Sequence, residues 1–277
     1  MTTVFKRLVD RFKADGAAST IKQCIGFVLR RLRLIEDVEG RRLFLSNKIN
    51  KLFDSTIAYG PLKGFVFSRH SWWGRYDRAP MILGLYEREV LASIINKTPT
   101  HNVFIDIGAA DGYYGVGLIY AGFFEKSYCF ETSSRGRKVI ADNAIVNNVS
   151  DCVEIFGHAQ ADFFEKIPEQ ERSKAVVLVD IEGGEFDIFT EKVFMEFKNS
   201  IILIETHSWA VEDFAEKLNM LKSKAKKYFN ISELKTASRD LSAIEELASY
   251  RDTDRWLMCS EGRPCLMTWL RLEPLSL

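Results

Sequence analysis

Val103-Phe104-Ile105-Asp106-Ile107-Gly108-Ala109-Ala110-Asp111-Gly112 is the stretch on which the fold turns. Val103–Ile107 is a short apolar run, long enough for a buried strand. Gly108 and Gly112 follow where the run ends, and glycines there allow a tight turn and a close approach of backbone to a ligand. Tyr113–Phe124 is apolar on every side, as a buried helix should be. Strand, glycine turn and helix in that order open an α/β unit.

The same alternation continues downstream. Strands are expected at Ser127–Glu131, Cys152–Phe156, Ala175–Asp180 and Ile201–Thr206. Helices are expected at about 133–147, 160–166, 184–197 and 211–227. Val176-Val177-Leu178-Val179 and Ile201-Ile202-Leu203-Ile204 are the continuous apolar runs of strands covered on both faces. Tyr228–Leu234 and Cys265–Leu272 read as two final strands, and residues 239–262 between them exceed what a hairpin needs. The expectation is a Rossmann-like, mostly parallel α/β domain over residues 99–277.

Upstream the pattern differs. Residues 1–58 read as helices, Gly60-Pro61-Leu62-Lys63-Gly64 as a break, Phe65–Phe67 as a small strand and Ser71–Tyr76 as an aromatic loop. A helix is expected across Pro80–Ile95, with the proline in its first turn. Residues 1–98 are thus read as a mainly helical cap that packs on the α/β domain and helps shape a ligand pocket.

Composition sets outer limits. The 277 residues carry 38 Lys/Arg against 38 Asp/Glu, so no basic excess argues for nucleic acid. Residues 1–42 do hold ten basic and five acidic side chains, interleaved with apolar ones at helical spacing. Such a helix packs on the main domain with a solvated outer face, or lies weakly on an anionic membrane surface. No apolar run reaches the ~18–20 residues of a membrane span, and no signal-peptide pattern is present. Five scattered cysteines without a CxxC pair fit the cytoplasm.

The chemistry is carried by acids at strand ends. The glycine stretch has the form acid-x-Gly-x-x-x-Gly, not Gly-x-Gly-x-x-Gly. A dinucleotide loop offers amides to a pyrophosphate and has no use for an acid at Asp106. S-adenosylmethionine has no phosphate, and its ammonium and sulfonium suit nearby carboxylates. Glu131 ends the next strand, 23 residues after Gly108, where an acid can accept from both ribose hydroxyls. His158 and Ala159 follow the third strand, where an adenine ring would lie. Asp180, Glu182 and Glu185 crowd the end of the fourth strand; the last two also suit a helix N-terminus. Glu205-Thr206-His207 ends the fifth and places a carboxylate and an imidazole beside Asp180. Those atoms could hold a metal, but no metal is assigned.

Together, Val103–Ala109 with Tyr113-Tyr114, Asn143 and Asn147, Asp180-Ile181-Glu182-Gly183-Gly184-Glu185 and Ile204-Glu205-Thr206-His207 resemble FkbM-type methyltransferases over about residues 100–210. Gly84-Leu85-Tyr86-Glu87 after Gly60–Gly64, and Asp254-Arg255-Trp256-Leu257 before Ser260-Glu261-Gly262-Arg263-Pro264, are similar to a subset of that family. The resemblance implies a class I methyltransferase fold with a seven-stranded sheet whose last strand is antiparallel. It also implies S-adenosylmethionine as cofactor and O-methylation of a sugar, glycan or natural-product hydroxyl.

The expected cofactor residues are Asp106, Gly108, Ala109, Asp111, Gly112, Tyr113, Tyr114, Glu131, His158, Ala159, Asp180 and Glu87. The expected catalytic residues are His207 as general base, with Glu205 or Asp180 orienting it or the acceptor. Trp72, Trp73, Tyr76 and Trp256 are candidates for a sugar-stacking wall. The alternatives are an NAD-dependent Rossmann enzyme and a catalytically inactive scaffold on the same fold.

Overall fold

The computed structural model describes residue 25 and residues 37–96, 101–173, 175–263 and 265–275. The chain divides into two compact units, Met1–Phe44 and Leu45–Leu277. The basic, amphipathic reading of residues 1–42 falls almost wholly outside the described residues.

Seven strands form one sheet: β1 Val103–Ile107, β2 Lys126–Phe130, β3 Val153–Phe156, β4 Ala175–Val179, β5 Ile201–Thr206, β6 Phe229–Lys235 and β7 Thr268–Pro274. Their order is β3-β2-β1-β4-β5-β7-β6. β1 to β5 are parallel, whereas β7 runs antiparallel to both β5 and β6. This is the seven-stranded, Rossmann-like arrangement expected. Strand order reverses between β1 and β4, the point at which open α/β sheets bind ligands beyond their carboxyl ends.

Alternation along the strands sorts the core into two faces. Phe104, Val176, Leu178, Ile201 and Leu203 belong to one buried cluster. Ile105, Ile107, Val177, Val179, Ile202 and Ile204 belong to the other. Ile140 and Ala144 of the helix Ser134–Val146 join the first face; Leu221 and Ala225 of Phe214–Ala225 join the second. Each fully buried aliphatic side chain contributes about 1.5–3 kcal/mol, which is why the apolar runs were so readable. The first face also holds Leu45, Ile49, Ile57, Leu62, Phe65, Ile82 and Ile94, so residues 45–96 share that core. Among the described residues no helix is long and apolar enough to cross a membrane.

Several local expectations need correction. Helix Val38–Leu52 ends where Asp54 and Ser55 turn left-handed, and Thr56 then bridges Val66, so residues 53–58 are not helical. The helix expected across Pro80–Ile95 is two, Arg78–Ile82 and Arg88–Ile95. The break falls at Gly84, whose missing Cβ would lie 2.4 Å from the Tyr59 carbonyl oxygen. The chain entering the Gly60–Gly64 break crosses there, at Tyr59 and Gly60, which explains why the two glycine motifs occur together. Over 113–124 only Gly117–Tyr120 is regular helix, because the Gly115 amide turns to the Asp106 carboxylate. Residues 184–197 form two short helices, Glu185–Ile188 and Glu191–Glu196, the second capped by Thr190. Residues 163–166 are a 3-10 turn, Cys152 lies in another before β3, and β7 starts at Thr268 rather than Cys265. Residues 239–262 contain the helix Asp252–Cys259.

Candidate cofactor and acceptor site

A cavity of about 420 Å³ opens at the carboxyl edge of the sheet, over the ends of β1, β2 and β4. It falls within the size range of small-molecule sites. Asp106, Gly108, Ala109, Asp111, Tyr113, Tyr114, Glu131, His158, Ala159, Asp180 and Glu87 all line it. Gly112 does not line it; its α-carbon packs near Val116 and Ile140. Glu205 and His207 lie behind Asp180 and are buried.

Gly108 is required by the chain itself. Its φ is +90°, and a Cβ would meet the Asp180 carbonyl oxygen at 1.8 Å. The β1 and β4 turns touch at this glycine, and that contact brings Asp106 and Asp180 to one rim. Three non-glycine residues with left-handed backbone also border the cavity: Glu87, Ala110 and Glu182. Such conformations cost about 1–3 kcal/mol each and gather where surrounding structure imposes them, often at ligand sites.

The two sides of the cavity differ. On the β2 side Glu131 Oε2 accepts the Ala110 amide at 3.0 Å, and Oε1 accepts the Ser133 amide at 2.7 Å. Oε1 also accepts from the Thr132 hydroxyl at 3.4 Å, so Oε2 is the oxygen with a second lone pair to offer. Gly136 packs against Glu131 and Trp72 together, since a Cβ there would lie 2.6 Å from one and 3.0 Å from the other. Trp72 therefore stands beside Glu131. Asp111 is fully engaged: it accepts from the Ser71 hydroxyl at 2.5 Å and from the amides of Trp72, Trp73 and Gly74, and pairs with Arg78 at 3.5 Å. Its carboxylate positions the aromatic loop and is not free to receive a ligand. Trp72 and Trp73 line the cavity, whereas Tyr76 and Trp256 do not, so the four aromatics do not form one wall.

On the β4 side negative charge accumulates. Burial raises the Asp106 carboxyl from its ordinary 3.8 to about 7, although the Gly115 amide opposes the rise. Burial likewise raises Glu87, Glu182 and Glu205. Glu87 accepts from the Tyr114 hydroxyl at 2.7 Å. Arg263 reaches across to Glu87 and Glu205 and holds Glu261 at 2.9 Å. Arg239 joins Glu261 at 3.0 Å and also pairs with Glu89. His207 stands among three carboxylates: Nε2 is 3.2 Å from Asp180 and 3.5 Å from Glu205, and Nδ1 is 3.3 Å from Glu185. Burial alone would lower its pKa, but hydrogen bonds to Asp180, Glu185 and Glu205 outweigh it and push the ring up to about 12. In this arrangement the imidazole is a cation, the conjugate acid of the base expected from the sequence. Trp209 meets the ring edge-on at 5.9 Å.

Sequence reading did not assign roles to Arg263, Trp209 or the Glu185 contact. Arg263 lies in a motif that the resemblance singles out, but nothing in its spacing ties it to Glu205 and Glu87, 58 and 176 positions away. An acid such as Glu185 in a helical first turn always has charge matching as a sufficient reason.

The Asp106 shift has a measurable consequence. A carboxyl raised above its unfolded value holds its proton more tightly when folded, so stability falls as pH rises from about 4 to 7 and is level above. Asp106→Asn can still accept from Gly115. It should raise the melting temperature at pH 8 and change it little near pH 4. An unchanged melting temperature at pH 8 would show that burial does not raise the Asp106 carboxyl.

No family model matches the chain, and no curated protein matches it. Solved structures do. The METTL16 MTase domain is 12% identical, covers 86% of this chain and 80% of its own, and has a TM-score of 0.49. The precorrin-6y C5,15-methyltransferase of Geobacter metallireducens is 12% identical, with coverage of 69% and 89% and a TM-score of 0.44. The M1A22 tRNA methyltransferase TrmK of B. subtilis is 10% identical, with coverage of 66% and 64% and a TM-score of 0.44. At these values the likeness concerns the general path of the chain, and the site is read from its own residues.

Proposed function

We propose that this chain is an S-adenosylmethionine-dependent methyltransferase of FkbM type that methylates a hydroxyl on a sugar, glycan or natural product. The observation that carries the reading is the division of the cavity into two unlike sides around Gly108. Glu131 and Trp72 suit a ribose and its base, with His158 and Ala159 after β3 completing that side. Asp106, Asp180 and Glu87 suit an ammonium and a sulfonium. An NAD-like ligand would bring a pyrophosphate to a rim of buried carboxylates, and like charges would repel.

Methyl transfer is an in-line displacement at carbon: the acceptor oxygen forms a bond to the methyl group as the sulfur–carbon bond breaks, and sulfur keeps the electron pair. Holding the three atoms in line supplies about 7–11 kcal/mol. The hydroxyl proton must leave as the oxygen attacks. His207 already carries both ring protons, so Asp180, whose side chain is 36% exposed, is the better-placed acceptor, and His207 orients it. Residues 45–96 form the wall that carries Glu87, Tyr86, Trp72 and Trp73.

Glu131→Ala tests the cofactor placement. Loss of its hydrogen bonds should weaken S-adenosylhomocysteine binding by about 1–3 kcal/mol, roughly 5- to 150-fold in Kd. Calorimetry on folded variant protein reads this directly, and an unchanged affinity would remove Glu131 from the site.

A further inference from the structure

We propose that Asp180, Glu205 and His207 form a binding site for one divalent cation at the acceptor end of the cavity. Asp180 Oδ1, Glu205 Oε2 and His207 Nε2 converge, and one oxygen or nitrogen from each residue lies within 4.8 Å of the others. Two carboxylates and an imidazole make a mixed donor set that suits Mn²⁺ and similar first-row ions.

The orientation of each buried donor is already set by a partner outside the site. Glu185, which is fully buried, accepts the His207 backbone amide at 3.0 Å and faces Nδ1 at 3.3 Å. Its other oxygen accepts the Gly183 amide at 2.9 Å. Nδ1 is thereby engaged and Nε2 is the nitrogen turned toward Asp180 and Glu205. A carboxylate behind the distal nitrogen is the usual support of a metal-bound histidine. Glu205 divides in the same way, with Oε1 on Arg263 and Oε2 toward His207. Asp180 is the partly exposed member and lines the cavity, so an ion can enter from that side.

Charge favours a cation here. Three carboxylates surround one imidazole. A divalent ion held between Asp180, Glu205 and Nε2 of His207 brings two positive charges into that group of carboxylates. The ion leaves Glu185 and Arg263 where they are. Its role rests on the methyltransferase reading: with the ion bound, Asp180 and His207 serve as ligands rather than as proton acceptor and its orienting partner, and the ion would bind the acceptor oxygen as a Lewis acid and ease loss of the hydroxyl proton. Binding itself does not depend on that reading.

Titration of the full chain with Mn²⁺, followed by electron paramagnetic resonance of the free ion, tests the site. Wild type should bind one Mn²⁺ with sub-millimolar Kd. Asp180→Asn should weaken binding at least about tenfold, and its partial exposure lets the variant fold; Glu205→Gln serves as the second variant. Absence of binding up to about 1 mM, or binding unchanged in both folded variants, overturns the proposal. S-adenosylhomocysteine affinity measured on the same preparations separates the two readings. Mn²⁺ bound without the adenosyl ligand keeps the metal site and sinks the function, and the reverse result does the opposite.

Discussion

Gly108→Ala is expected to destabilise the protein by more than about 4 kcal/mol, the range reached only when a substitution breaks a specific structural requirement. Two costs add. Alanine at φ +90° is strained, and its methyl group would sit 1.8 Å from the Asp180 carbonyl oxygen, which is backbone and cannot swing aside. Gly122 is the control. It has φ +73° but nothing within 4 Å of an added Cβ, so Gly122→Ala should cost only about 1–2 kcal/mol. Urea melts of both variants give the comparison. Equal, small losses would mean that the β1 and β4 turns do not touch as described, and Asp106 and Asp180 would then not share a rim.

Arg263→Ala should cost about 3–5 kcal/mol, because removing one partner of a buried ion network leaves charge uncompensated. Three buried carboxylates lose one cation at once: Glu87, Glu205 and Glu261, each no more than 8% exposed; Glu261 keeps Arg239 and Glu205 keeps His207, whereas Glu87 keeps only the Tyr114 hydroxyl. Arg263→Lys should recover only part, since Arg263 meets the three acids through three separate nitrogens and an ammonium's donors all sit on one. The loss should depend on pH. Carboxyls without a cation take up protons when buried, so their folded pKa lies above the unfolded one, and stability falls as pH rises through that interval. The gap between wild type and Arg263→Ala should therefore be wider at pH 8 than at pH 5. A gap of the same size at both would show that Arg263 acts through packing and not through charge.

How much of this was legible depended on whether a residue's reason was local. β1 and β5 were read to the residue, because an apolar run buried on both faces has few other uses. Glu131 and Asp180 were found because a strand end facing a glycine turn is itself a functional position. The broken helix at Gly84 was not readable, since its cause is the Tyr59 carbonyl from another part of the chain. Asp111 shows the same limit: it belongs to the glycine stretch, yet its oxygens serve the loop at 71–74, some forty residues earlier. The imidazolium character of His207 came from three carboxylates, of which the sequence placed two beside it and gave the third, Glu185, a separate explanation.

The central claim is that the cavity over β1, β2 and β4 holds an adenosyl ligand with a positive end. Isothermal titration of the full chain with S-adenosylmethionine, S-adenosylhomocysteine and NAD⁺ tests it most directly. The account predicts micromolar binding of both adenosyl ligands, weakened in Glu131→Ala, and no comparable response to NAD⁺. Tight NAD⁺ binding with no response to either adenosyl ligand would contradict it.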